Sequence, residues 1–432
     1  MLARRSLGRP FARLWAAYAV SAYGSGLALG AFPLIAVLAL RAGPAQVSAL
    51  SAVGPAVGAL LAVPLAPWVE FRRKRPVMIA MDLSRFAILL TIPLAYAIGR
   101  LSVAQLFVVS AVVAATRIAF TAASGAYLKT LVRPADLLAA NARFESTNWS
   151  SLAVGPPLGG AAIGAFGPVI TVAADALSYL GSALGIIAIP GRDEARPTVR
   201  RGRVRAGELV EGWRHILTDP GLRPLYLNAV LVSGLIMATE PLLAVLLLRQ
   251  LRVPPWQYGL AFAAPCAGGL IGSRLAGRVV ARYGPPRVFR TVGTLRAVWL
   301  IGLALIRPGA IGLVTVIAVE LAIIVSMSLY NPVLATYRLQ RTPADRVART
   351  LSAWSIGQQA SIAILTALGG LLAGATSPRT ALVAAGLLAL ASPALLPRRD
   401  PSGVPGHRPP TSTDHPATGL PGQDEPAGSR RS

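Results

Sequence analysis

Hydrophobic residues run along this chain in blocks of about 20 to 27, and the polar residues gather in the short gaps between them. A helix rises about 1.5 Å per residue, so each block can cross a bilayer core of roughly 30 Å. The pattern predicts an all-α polytopic membrane protein with twelve transmembrane helices, at about 12–39, 46–69, 77–99, 102–126, 146–166, 169–190, 223–248, 256–280, 288–307, 310–334, 348–374 and 378–397. Two gaps resemble one another across half the chain. The stretch 66–76 (APWVEFRRKRP) and the stretch 277–287 (GRVVARYGPPR) are both predicted as basic loops between apolar runs, which points to two duplicated halves.

The segment 191–222 separates those halves. Gly191 to Arg205 is polar, arginine-rich and expected to be flexible, whereas Glu208 to Leu217 places Leu209, Trp213, Ile216 and Leu217 on one helical face. That face suits a helix lying on the membrane surface. The predicted domains are therefore a bundle over 1–190, this linker, a bundle over 223–397 and a Pro/Gly/Ser/Thr-rich tail over 398–432, which the composition predicts to be disordered.

Composition agrees with the pattern. Apolar residues make up 54% of the chain and charged ones 14%, where a soluble domain carries about a quarter charged. A net charge of +25 would suit a nucleic-acid partner if it formed one face, but the basic residues sit in short loops at intervals, so no nucleic acid is expected. Their distribution instead fixes an orientation. With the N-terminus inside, 27 Lys/Arg fall in the inner segments and six in the outer loops, which predicts a multi-pass protein of the plasma membrane with both termini cytoplasmic. The single cysteine, Cys266, excludes an internal disulfide, and no His/Cys/carboxylate group has metal-ligand spacing. With no Walker loop and no reacting constellation, no cofactor is expected and the chain is not read as an enzyme.

The candidate chemistry lies in charges inside the spans, since an ion in hydrocarbon costs at least a few kcal/mol. Glu320 lies almost at the middle of the tenth span and Glu240 about 7 Å outward of the middle of the seventh, where a carboxyl can take up or release a proton; a packing role is the competing reading. Arg117, in the fourth span, has no opposite charge on its own helix. Asp82 and Arg85, three apart on the third span, form a candidate ion pair or gate latch near the inner end. Asp175 reads as a helix-packing residue, and Arg274 and Arg296 read as side chains that snorkel to the surface. The fifth span carries Gly155-Pro156-Pro157-Leu158-Gly159-Gly160, whose small residues allow close helix approach.

On these motifs the chain resembles the major facilitator superfamily over residues about 10–397. The loop at 66–76 is similar to that family's signature between the second and third helices, with Glu70 in the acidic position and Lys74 and Arg75 as the closing basic pair; Ala66, Phe71 and Arg73 depart from it. The second copy keeps Gly277, Arg282 and Gly284, has Ala281 at the acidic position, and carries Arg287 one place late. Gly155, Pro156, Gly159 and Gly160 look like the fifth-helix motif of antiporter branches, and Arg117 sits roughly where drug–proton antiporters place a fourth-helix arginine. Four further stretches, at 77–85, 139–143, 175–179 and 211–214, resemble the macrolide-efflux and enterobactin-exporter-like branch.

The resemblance implies two pseudo-symmetric six-helix bundles around a central cavity. Tyr18, Ser21, Tyr23 and Ser25 would line it, and Glu70, Arg72, Lys74, Arg75, Asp82, Arg85, Gly277, Arg282, Gly284 and Arg287 would form a cytoplasmic gate. It implies a monomer in the lipid bilayer that exports a small amphipathic molecule in exchange for protons. An importer or facilitator, and a non-transporting receptor or scaffold, are the alternatives.

Overall fold

The computed structural model describes residues 7–70, 72–133, 136–167, 169–189, 206–343 and 346–396. The linker stretch 191–205, the tail 398–432 and the side chain of Glu70 lie outside that description, and so do the expectations placed on them.

Among the described residues every regular element is helical. In the first half, α1 (Arg9–Leu27) and α2 (Ala31–Leu38) make one crossing, broken where Gly30 takes a φ of 77°. It is followed by α3 (Pro44–Glu70), α4 (Lys74–Ala97), α5 (Val103–Leu131), α6 (Leu137–Phe166) and α7 (Ile170–Ile187). The amphipathic α8 (Ala206–Thr218) leads into the second half: α9 (Leu222–Val245), α10 (Pro255–Ala263), α11 (Cys266–Val298), α12 (Ala310–Arg341), α13 (Val347–Ala375) and α14 (Pro378–Ala391).

Among the described residues ten helical stretches are long and apolar enough to span a bilayer. Two predicted spans fall outside that set for visible reasons. The Gly and Pro content of α6 lowers its hydropathy, and the eighth crossing is divided at Pro265 into α10 and the start of α11.

Both predicted basic loops are mostly helix. In the first, α3 runs on to Glu70 and α4 starts at Lys74. The second is a corner inside α11, where Gly284 adopts φ 73° and Pro285 starts the next crossing. A left-handed residue followed by proline turns a chain sharply without a loop, and glycine does so without strain.

The amphipathic helix α8, expected on the membrane surface, packs on protein. Ile216 is fully buried against the second half, Gly212 lies on the Arg349 backbone, and Glu211 pairs with Arg349 at 2.5 Å, whereas Leu217 is 45% exposed.

The buried apolar side chains show how the halves meet. At the end away from the basic loops a single core joins both, with Leu34, Leu50 and Tyr179 of the first half beside Leu243 and Tyr258 of the second. At the basic end the core divides in two. Phe11, Met78 and Leu128 belong to the first half alone, and Phe289, Tyr330 and Trp354 to the second alone. Outside, exposed Leu60, Leu177, Leu305 and Ile311 give the apolar belt that a bilayer covers.

Candidate transport pathway

The far-end seal is made from backbone. On α6, a Cβ at Gly155 would collide with the Gly26 backbone, and one at Gly159 with the Leu27 carbonyl oxygen, so these two glycines face α1 in their own half. Gly160 faces the other half, where a Cβ would come within 2.7 Å of the Pro255 carbonyl oxygen. Gly259 on α10 reciprocates against the Pro156 carbonyl. The second seam, between α3 and α13, places Gly370 on Ser48 and Gly58 on Gln359. Arg249 Nη1 donates across the halves to the Ala42 carbonyl at 3.1 Å.

Glu240 and Glu320 lie under this seal. They project from α9 and α12 closely enough for their charges to interact. Glu240 also interacts with Tyr258 of α10 and borders a small cavity shared with Gly30, Pro156 and Gly160; Glu320 interacts with Cys266. Among the described residues neither glutamate makes a hydrogen bond or ion pair. Arg117 is exposed, likewise makes no such contact there, and is a partner of neither glutamate.

The first half contains a buried charged cluster. Arg85 Nη1 lies 3.3 Å from Asp82 Oδ1, with both side chains at most 4% exposed. Its remaining donors reach Thr116 Oγ1 at 3.3 Å and the Thr116 carbonyl at 3.1 Å, while its guanidinium lies 4.7 Å from the Tyr179 ring and 4.8 Å from that of Phe120. Asp82 Oδ2 accepts from Ser182 at 2.7 Å. Asp175 faces the same arginine and accepts from Ser25 at 3.0 Å; Ser25 also bonds the Tyr179 hydroxyl at 2.8 Å. One cation and two carboxylates thus tie α1, α4, α5 and α7 together.

The second half has a different cluster. Arg296 was expected to snorkel; it is 1% exposed. Its Nη2 donates to Asn228 Oδ1, Asn228 Nδ2 donates to the Ser392 carbonyl at 2.9 Å, and its guanidinium stacks 3.8 Å from the Tyr330 ring. Arg296 Nε has no hydrogen-bond partner, and no carboxylate among the described residues pairs with this guanidinium. The sequence held a signal for it: Arg296 follows Pro285 at the same interval as Arg85 follows Lys74.

The other predicted residues are placed as follows. Ser21 is buried and donates to the Tyr18 carbonyl of its own helix; Tyr23 bonds Ser150 at 2.8 Å on α6, and Tyr18 stacks on Phe144. Lys74 donates to the Val69 and Arg72 carbonyls at 3.0 and 2.8 Å, and Arg75 to those of Ile186 and Ile187 at 3.2 and 2.6 Å, so they cap the ends of α3 and α7. Arg72, Gly277, Arg282 and Arg287 are exposed at the basic end, with Arg282 over the Tyr283 ring. No group of three or more metal-ligating side chains occurs among the described residues.

Two helical bundles sealed together at one end, with charged residues at mid-depth, define the class: this is the fold of a membrane transporter. A mutant of the nucleoside transporter NupG superposes with a TM-score of 0.74 at 11% identity, covering 90% of this chain and 100% of that one. A bacterial homologue of the iron transporter ferroportin in an inward-facing state gives 0.71 at 17%, covering 90% and 98%. A bacterial homologue of the human lysosomal transporter Spinster gives 0.68 at 16%, covering 91% and 96%. The sequence profile of the Major Facilitator Superfamily matches residues 14–327 and 237–421, so the chain belongs to that superfamily. No curated protein sequence matches it.

Proposed function

We propose that this protein is a proton-coupled exporter of a small amphipathic organic molecule in the plasma membrane, working by alternating access. The basic end is cytoplasmic, following the Lys/Arg excess of its loops. The divided core then leaves the space between the bundles open to the cytoplasm, while the glycine seams close the outside. Rocking the two bundles about the midplane exchanges the open side.

The observation that carries the coupling is the pair Glu240 and Glu320, two neighbouring carboxylates without hydrogen bonds beneath the outer seal. Two neighbouring negative charges repel one another, so a proton on either lowers the cost of closing the site around them. A proton entering from outside neutralises the pair and lets the empty carrier return; substrate binding from the cytoplasm displaces it. The macrolide-efflux and enterobactin-exporter-like resemblance supports export, and the Gly155 to Gly160 run lies in the outer seal where leakage would short-circuit the gradient.

The test is reconstitution in liposomes with a pH-sensitive dye inside and a panel of amphipathic antibiotics and siderophore-like compounds. The expected result is substrate-dependent proton flux that Glu240→Gln or Glu320→Gln removes. Substrate movement indifferent to the pH gradient would make the protein a facilitator and both glutamates packing residues.

A further inference from the structure

Between α9, α11, α12 and α13, at the basic end of the second half, lies a cavity of about 220 Å³. Its wall contains Arg296, Arg338, Ser233, Asn331, Gln358 and Trp354. It differs in kind from the space around Glu240, where Leu, Pro and Gly predominate. Among the described lining residues there are two guanidinium groups and no carboxylate.

Both cations are held by uncharged neighbours. Arg296 is stacked on Tyr330 and anchored by Asn228, and Arg338 lies 4.8 Å from the Trp354 ring. Each has a buried Nε without a hydrogen-bond partner. Gln358 donates to Ser233 at 3.2 Å, which fixes an amide and a hydroxyl on the facing wall. An aromatic face holds a guanidinium in place and leaves its N–H edge free for an acceptor. Burying the Arg296 charge without a counter-ion carries an unrecovered desolvation cost. A ligand that brings the missing negative charge recovers that cost through paired, charge-assisted hydrogen bonds.

We propose that this cavity binds the anionic group of an organic substrate, a carboxylate or phosphate-like oxyanion held by Arg296 and Arg338, with the adjoining flat part of the molecule against Trp354. The inference rests on the transporter reading and narrows its substrate to an organic anion or zwitterion. The site opens at the basic end, where an exporter loads. Its position separates substrate binding from the two glutamates, so binding and proton movement are coupled through the helices α9 and α12, which carry residues of both sites.

Salicylate is a suitable probe: a carboxylate on a flat ring that fits the volume. Purified full-length protein in nanodiscs would be titrated while following tryptophan fluorescence and thermal unfolding, with benzyl alcohol as the neutral analogue. The expected result is saturable binding of salicylate, at least tenfold tighter than benzyl alcohol, that Arg338→Gln weakens at least tenfold and Arg338→Lys weakens less. Arg296→Gln should do the same, and the partly exposed Arg338 keeps the test open if that variant fails to fold. Equal binding of the two probes, or unchanged binding in Arg338→Gln, would overturn the proposal. Salicylate binding in phosphatidylcholine discs that disappears in phosphatidylglycerol discs would assign the cavity to a lipid headgroup and overturn the substrate reading. These measurements need no proton gradient, so failure here leaves the exporter reading standing, and binding without transport would contradict that reading alone.

Discussion

Arg85 and Arg296 occupy the same place in their helices, one in each half of a duplicated fold, and their surroundings have diverged. Arg85 is neutralised by Asp82 and Asp175 and uses its donors on Thr116. Gly293 stands where the repeat would place the counterpart of Asp82, and a side chain there would meet the Tyr330 ring at 3.2 Å. The second half has exchanged a carboxylate for an aromatic face. In the first half the buried cation has its acids beside it, and the cluster braces four helices. The second retains a cation without its acid and, on α9 and α12, two acids without a cation. The difference teaches that a buried charge points to function when its counter-ion is missing, and to architecture when it is present.

The largest effect is expected at Asp82. Asp82→Ala removes the carboxylate in direct contact with Arg85, leaves only the more distant Asp175 to balance it and unpairs Ser182, and should destabilise the protein by about 3 kcal/mol, read as a large drop in thermal unfolding temperature in detergent. Arg296→Met should change stability by no more than about 1 kcal/mol in the same assay, because it removes a charge that no carboxylate balances while losing one amide bond. If both variants fall equally, the two arginines are alike and the contrast is lost.

Smaller effects sharpen the boundary between the halves. Gly159→Leu forces α6 off α1 within one half and should lower the unfolding temperature. Gly160→Leu forces α6 off α10 across the seam and should mainly raise reagent access to a cysteine placed at the sealed end. The smallest effect is expected for Arg117→Gln, at most about 0.5 kcal/mol, since the exposed side chain makes no hydrogen bond or ion pair among the described residues.

Hydrophobic periodicity made much of the fold legible. Helices such as α13 and α14 start within a residue or two of the predicted spans, because apolar blocks and polar gaps are imposed by the bilayer. It did not show that α6, α10 and α12 depart from their blocks, since helix can continue into a polar stretch and break inside an apolar one, as at Pro265. In the site, the two glutamates and the Gly–Pro run were visible as residue types in unusual places. Arg296 is visible too, but its position near a helix end points to water, and only packing against Asn228 and Tyr330 places it in the interior. The unpaired cavity edge of Arg338 depends on which helices are neighbours, and no local pattern encodes that.

The central claim is that coupling resides in the second half and bracing in the first. It is tested most directly by measuring substrate-dependent proton flux in one set of liposomes containing wild type, Glu240→Gln, Glu320→Gln and Asp175→Asn, with equal amounts of folded protein, using the compound that drives the largest wild-type flux. The account predicts that flux is lost with at least one glutamate variant and retained in Asp175→Asn. Flux retained in both glutamate variants and lost in Asp175→Asn, or no wild-type flux with any compound, would contradict it.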